Sequence, residues 1–120
     1  MRAAIYRETG GSDVLSVEDV LTPVPGAGEV RVRITCSGIN PTDWKTRSGL
    51  TGGSPLEPQV PHHDGAGVIE AVGPGVDERR VGQRVWLYMA LVDTGSHGFD
   101  HAGAVVVRHL RLERRSSGQA

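Results

Sequence analysis

Residues 29–36 constrain the fold more than any other part of the chain. They read Glu-Val-Arg-Val-Arg-Ile-Thr-Cys, and in an extended backbone Val30, Val32, Ile34 and Cys36 fall on one side while Arg31, Arg33 and Thr35 fall on the other. That period of two is the pattern of a strand with one face buried and one face wet. Cys36 continues the apolar face, so the sequence predicts a packed, inert thiol there rather than a nucleophile.

Such a strand needs neighbours, and the sequence supplies several. Ala3–Tyr6 reads as a short first strand and Val14–Val20 as a second, with Gly10-Gly11-Ser12 turning between them. Thr22–Gly28 contains two prolines that cannot donate to a ladder, and reads as a loop. Gly65–Val72 and Gly82–Leu87 are further strands, joined through Gly73-Pro74-Gly75 and the charged run Asp77-Glu78-Arg79-Arg80. Ala102–Val107 is expected to form a last strand, and residues 51–62 a loop. One short helix is marked by Asn40 as N-cap, Pro41 at its first position and Asp43 near its positive end; it runs to about Arg47, before Ser48-Gly49. Seventeen glycines, seven prolines and only 4% aromatic residues favour turns and strands over a helical bundle. The expected fold is mainly β, a small partly open barrel with one or two short helices.

At 120 residues the chain is long enough for one domain with a core. A net charge of −1 gives no drive toward nucleic acid or a membrane surface, and no apolar run approaches the roughly 20 residues of a membrane helix. Met1–Tyr6 leads into charge, not into the apolar core of a signal peptide. A single cysteine excludes an internal disulfide and a four-cysteine zinc site, which fits a reduced, cytoplasmic setting. Arg108, Arg111, Arg114 and Arg115 make a basic end that reads as a solvated, disordered tail rather than a nucleic-acid contact.

The chemistry-bearing residues cluster in two places. His62-His63-Asp64 stands just before the Gly65-Ala66-Gly67 strand start. Two adjacent histidines and one carboxylate are either a partial metal site or a polar loop capping a strand. The two glycines do not make a dinucleotide fingerprint, because Glu70 occupies the third glycine position and a strand follows where a helix is required. Close backbone approach or a bulge is the expected use of Gly65 and Gly67. Thr42 and Asp43 suit either a proton relay or a helix cap, and Trp44 and Trp86 either core or the wall of a cleft.

Taken together, these segments resemble the N-terminal GroES-like domain of the medium-chain dehydrogenase/reductase superfamily, in its quinone oxidoreductase branch. The matching pieces are Met1–Tyr6, Pro23–Pro25 before Gly28–Val32, Gly38-Ile39-Asn40-Pro41-Thr42-Asp43, Arg47-Ser48-Gly49, Pro61–Val76 and Val81–Val85. The resemblance covers residues 1–90 and implies a GroES-like partly open β-barrel there, followed by a divergent segment, 91–120, with one strand at 102–107. In zinc-dependent alcohol dehydrogenases a metal-binding cysteine falls at Asn40, a metal-binding histidine at His63 and its acidic neighbour at Asp64. With Asn40 in place of the cysteine and no four-cysteine lobe, the resemblance is to the zinc-independent branch, so no metal is expected. A tyrosine frequent two residues after the aspartate is Lys45 here.

That resemblance implies hydride transfer from NADPH to a quinone or activated carbonyl. By position, Asn40, Thr42, Asp43 and His63 are the catalytic candidates, Asn40 also touches cofactor, and Trp44 and Asp64 contact substrate. Residues 91–120 are too few for the βαβαβ nucleotide-binding unit of such enzymes, so the chain alone is expected neither to bind NADPH tightly nor to turn over. A separate Rossmann domain or a second copy would be its partner. Two other functions suit the same barrel: a non-catalytic binding or assembly module, and a co-chaperonin, which has no use for Asn-Pro-Thr-Asp or His-His-Asp at a cleft.

Overall fold

The computed structural model describes residues 1–52 and 58–88, and the backbone of one further strand at 104–107. Among the described residues, six strands, one α-helix and two short 3-10 helices make up the regular structure. The strands and the α-helix are β1 (Arg2–Ile5), β2 (Ser16–Asp19), β3 (Val30–Ser37), α1 (Pro41–Arg47), β4 (Gly65–Val72), β5 (Arg84–Leu87) and β6 (Ala104–Val107). β1 and β2 form an antiparallel pair, and the other four strands form a sheet in the order β5-β4-β3-β6, with antiparallel neighbours throughout. Among the described residues the two sheets do not close on each other through a ladder, so the architecture is a partly open GroES-like barrel.

Between the sheets lies a core of Ala3, Ile5, Val30, Val32, Val60, Ile69, Val85 and Leu87. Ile69, Val30 and Val32 are within 1% of complete burial, and each contributes about 1.5–3 kcal/mol through area removed from water. The alternation seen in the sequence places them there: along β5, for example, Val85 and Leu87 are buried while Arg84 and Trp86 are exposed. A single backbone bridge between Tyr6 and Gln59 ties the end of β1 to the segment that leads into β4.

The second strand is shorter than expected. Ser12–Val14 forms a 3-10 turn, which removes Val14 from the ladder and leaves Ser16–Asp19 paired. The turn before β3 is Gly26-Ala27-Gly28-Glu29, closed by the Glu29 N–H donating to the Gly26 carbonyl. Gly28 sits there at φ +76°, the left-handed conformation that a glycine adopts at little cost.

Cys36 overturns the expectation of a packed thiol: it is exposed. The reason is a β-bulge. Ile34 pairs with Gly67 and Cys36 with Ala66, so two residues of β3 oppose one of β4, with Thr35 the extra one. An extra residue reverses side-chain parity beyond it, and Cys36 moves from the core row to the outer face. A second bulge lies on β4. Arg31 pairs with Ala71 and Val32 with Ile69, which leaves Glu70 as the extra residue. Its carboxylate then meets Arg31 at 2.7 Å and Arg33 at 4.0 Å.

β6 lies at the edge of the sheet, Val30 facing Val107 and Arg33 facing Ala104, close to the expected span. The expected division at residue 90 and the basic tail fall outside the described residues.

Candidate functional site

α1 begins where β3 ends, and its start is set by local chemistry. Asn40 takes an extended conformation and Pro41, whose fixed φ suits a first helical position, follows. The Asp43 carboxylate reaches back and accepts the Asn40 N–H at 2.6 Å. This satisfies a donor at the helix entry and sets a negative charge near the positive end of the helix. Asp43 is buried, with its side chain 6% exposed. The helix C-terminal end is tied down by two bonds between Arg47 and Gly10, one through each backbone direction: the Gly10 N–H donates to the Arg47 carbonyl, and the Arg47 guanidinium donates to the Gly10 carbonyl.

Helix start and β4 start are stitched together across 24 residues of sequence. The Asn40 side-chain amide donates to Asp64 Oδ1 at 3.0 Å, and the Gly38 N–H donates to the Asp64 carbonyl at 2.9 Å. An added Cβ on Gly38 would strike the Asp64 carboxylate, which would have to move away from Asn40 to make room. His63 Nε2 lies 3.6 Å from Asp43 Oδ1, while that oxygen and His63 Nδ1 are both buried without a hydrogen-bond partner. His63, Asp43, Asn40 and Asp64 thus form one polar run that holds the two loops in register. Burial raises the hydroxyl pKa of Tyr6 above 10; Arg47 opposes that shift and the Asp43 carboxylate adds to it.

Beside this run opens a pocket of about 330 Å³ lined by Cys36, Ser37, Gly38, Asp64, Gly65, Ala66, Trp86 and Leu87. Ala66, Trp86 and Leu87 give it an apolar wall; Ser37 and Asp64 give it a polar end. The Ser37 hydroxyl is 2.6 Å from His62 Nδ1. His62 is held at φ +87°, a conformation that costs a non-glycine residue about 1 kcal/mol or more. A strained residue carrying a hydrogen bond to a pocket wall is a site-building feature.

The structure places the sequence candidates unequally. Asn40, Asp43, His63 and Asp64 come together. Thr42 is exposed on the first turn of α1. Trp44 is 49% exposed, with the Lys45 ammonium 5.9 Å from its ring centre, and it is not among the pocket's lining residues. Trp86 forms the aromatic wall instead. Ser37, Ala66 and Leu87 were not foreseen as site residues; the bulge at Thr35 brings Cys36 into the row of Ala66 and Trp86.

Zinc needs three or four protein ligands, and Asn40 presents an amide that already donates to Asp64. Among the described residues no group of three His, Cys, Asp or Glu side chains is placed to hold a metal. Among them, too, no helix is long and apolar enough to cross a membrane.

Comparison with known proteins agrees with this geometry. The profile of the alcohol dehydrogenase GroES-like domain matches residues 26–111. An alcohol dehydrogenase of Moraxella sp. (strain TAE123) is 43% identical over 93 residues, covering 75% of this chain and 27% of the relative. A quinone oxidoreductase of Rattus norvegicus is 38% identical over 89 residues, covering 73% of this chain and 27% of its own length. The crystal structure of Escherichia coli quinone oxidoreductase complexed with NADPH superposes with a TM-score of 0.68 at 29% identity, over 75% of this chain and 27% of that one. The chain therefore spans about a quarter of the length of the curated relatives it matches. With its open barrel, its Asn40–Asp64 stitch and a matching profile over most of its length, the chain belongs to the alcohol dehydrogenase GroES-like domain family of the medium-chain dehydrogenase/reductase superfamily.

Proposed function

We propose that this chain forms the substrate-side wall of a reaction cleft in an NADPH-dependent, zinc-independent quinone oxidoreductase or alcohol dehydrogenase-like enzyme of the cytoplasm. The observation that carries the reading is the polar run His63–Asp43–Asn40–Asp64 set against a pocket with an apolar wall. Such a pocket suits a flat, largely apolar molecule with one carbonyl end. The substrate class, a quinone or another activated carbonyl, comes from the quinone oxidoreductases the chain resembles, and the pocket's apolar wall and polar end are compatible with it.

NADPH, when bound, supplies the hydride. This chain's residues do the positioning. Asn40 offers its amide group at the edge where substrate and cofactor meet. Asp43 holds the Asn40 backbone, Thr42 supports the same turn, and His63 and Asp64 line the polar side; Trp44 borders the cleft from α1. Turnover on this reading needs a nucleotide-binding half on a Rossmann domain facing this wall, on the same polypeptide or on a partner.

The test uses the chain itself. Tetramethyl-1,4-benzoquinone is titrated into isotopically labelled protein and amide and indole resonances are followed. Shifts concentrated at Ser37, Ala66 and Trp86 are expected, with no NADPH consumed when both compounds are present. Shifts absent from those residues would sink the cleft assignment; NADPH oxidation by the chain alone would sink the need for a second half.

A further inference from the structure

We infer that the pocket selects anionic ligands, taking an aromatic or unsaturated body against Trp86 and a carboxylate or similar anion against Arg33 and Arg84. The inference rests on the pocket being the substrate site and adds a charge requirement to it.

Its basis is the register of the sheet beyond the bulge. Cys36, Ala66 and Trp86 stand in one cross-strand row, which lines the pocket. Side chains alternate along each strand, so the next row on the same outer face is Arg33, Val68 and Arg84, with Val68 between the two arginines. The burial pattern agrees: Arg84 and Trp86 are exposed on β5 while Val85 and Leu87 between and after them are buried. Two residues along a strand span about 7 Å, a length that an arginine side chain covers. Both guanidinium groups can therefore reach an anion attached to a ring that lies on Trp86.

Charge on this face is polarised. Glu70 is the carboxylate beside the arginine row, and it is engaged chiefly by Arg31 at 2.7 Å; Arg33 stands 4.0 Å from it and its side chain is 61% exposed. With Arg31 and Glu70 paired, Arg33 and Arg84 leave the row positive. Asp64 lies at the other end of the pocket, just before β4 and four residues from Val68, about 13 Å in extended chain. A ligand with an uncharged hydrogen-bonding group toward Ser37 and an anion toward Arg33 and Arg84 matches both ends. One with the reverse polarity matches neither.

The experiment compares 1-naphthoate with 1-naphthamide, which share a ring and differ in the charge of the head group. Each is titrated into the full chain, with the Trp86 indole N–H and the Ala66 amide as reporters. Naphthoate is expected to bind about fivefold more tightly, the advantage two exposed ion pairs provide, and the ratio should fall toward one in an Arg33→Gln/Arg84→Gln variant that keeps wild-type spectral dispersion. Trp86→Ala should weaken both compounds together. Equal binding of the two at Trp86 would overturn the charge selection while leaving the pocket as the substrate site. Binding of neither at Trp86 would overturn both readings.

Discussion

Gly67→Ala is the most direct test of how this sheet is built. Gly67 is buried in β4 opposite Ile34, next to the bulge at Thr35. A Cβ on Gly67 would run into the Arg33 carbonyl oxygen, and would lie 2.8 Å from Val32 Cγ1 and 2.9 Å from the Arg33 carbonyl carbon. Backbone atoms of a central strand cannot step aside singly, so β3 and β4 must part locally. Overpacking of this kind costs about 1–3 kcal/mol, and a stretched ladder bond adds about 1 kcal/mol. The total, about 2–4 kcal/mol, is a large share of the stability of a domain this size and corresponds to a fall in Tm of about 10–20 °C. Gly75→Ala is the control. Gly75 also resists a side chain, but only through its φ of +81°; no atom lies within 4 Å of the added carbon. That variant should lose about 1 kcal/mol. Thermal and urea unfolding followed by circular dichroism would measure both. If Gly67→Ala is no less stable than Gly75→Ala, close approach of β3 to β4 is not what the glycine is for, and the argument fails.

Further expectations concern the cap, the surface and the thiol. Asp43→Ala removes the acceptor of the Asn40 N–H at the helix entry, and should cost about 1–2 kcal/mol by urea unfolding; an unchanged midpoint would show that the contact carries no stability. The bond from Arg7, with a second from Ser16, holds the Glu18 carboxyl down to about 2 against an ordinary 4.5. The folded state therefore prefers the carboxylate. The contribution of this pair is complete above about pH 4.5 and disappears as pH falls toward 2. Carbon-detected NMR titration should find Glu18 near 2, and in Arg7→Gln the value should return toward 4.5; no movement would refute the assignment to Arg7. Cys36 should react with iodoacetamide in the native protein, whereas protection until unfolding would place it back in the core and disprove the bulge.

Local patterns announced most of the elements. The alternation of 30–34, the Asn-Pro-x-Asp helix start and the glycine-bounded run 65–72 each depend on neighbours within a few residues, and each was found within a residue or two of its expected span. Gly65 and Gly67 were expected to allow close backbone approach or a bulge, and both occur: an added Cβ at either would meet a carbonyl of β3, and the Thr35 bulge lies opposite Gly67 and Ala66. Capping, one of the two open readings of Asp43, is realised in its bond to Asn40. Long-range pairings had no such signature. Nothing near Asn40 in sequence shows that its amide meets Asp64, and nothing near Ser37 shows that it meets His62.

The two bulges explain the rest. A period-two pattern is blind to an inserted residue, because the pattern continues in the sequence while the pairing does not. Thr35 is the inserted residue on β3 and Glu70 on β4, about one bulge toward each end of the paired region. The Glu70 bulge keeps Val32 and Ile69 facing the core while bringing one carboxylate to two arginines. Past Thr35 the parity changes, so Cys36 leaves the valine row and joins Ala66 and Trp86 in the pocket. The same shift decides which tryptophan lines the pocket. Trp86 enters the site because β5 follows the register of β4, while Trp44 stays on an exposed helix face. The core could thus be read from alternation alone, but the pocket exists only where alternation breaks.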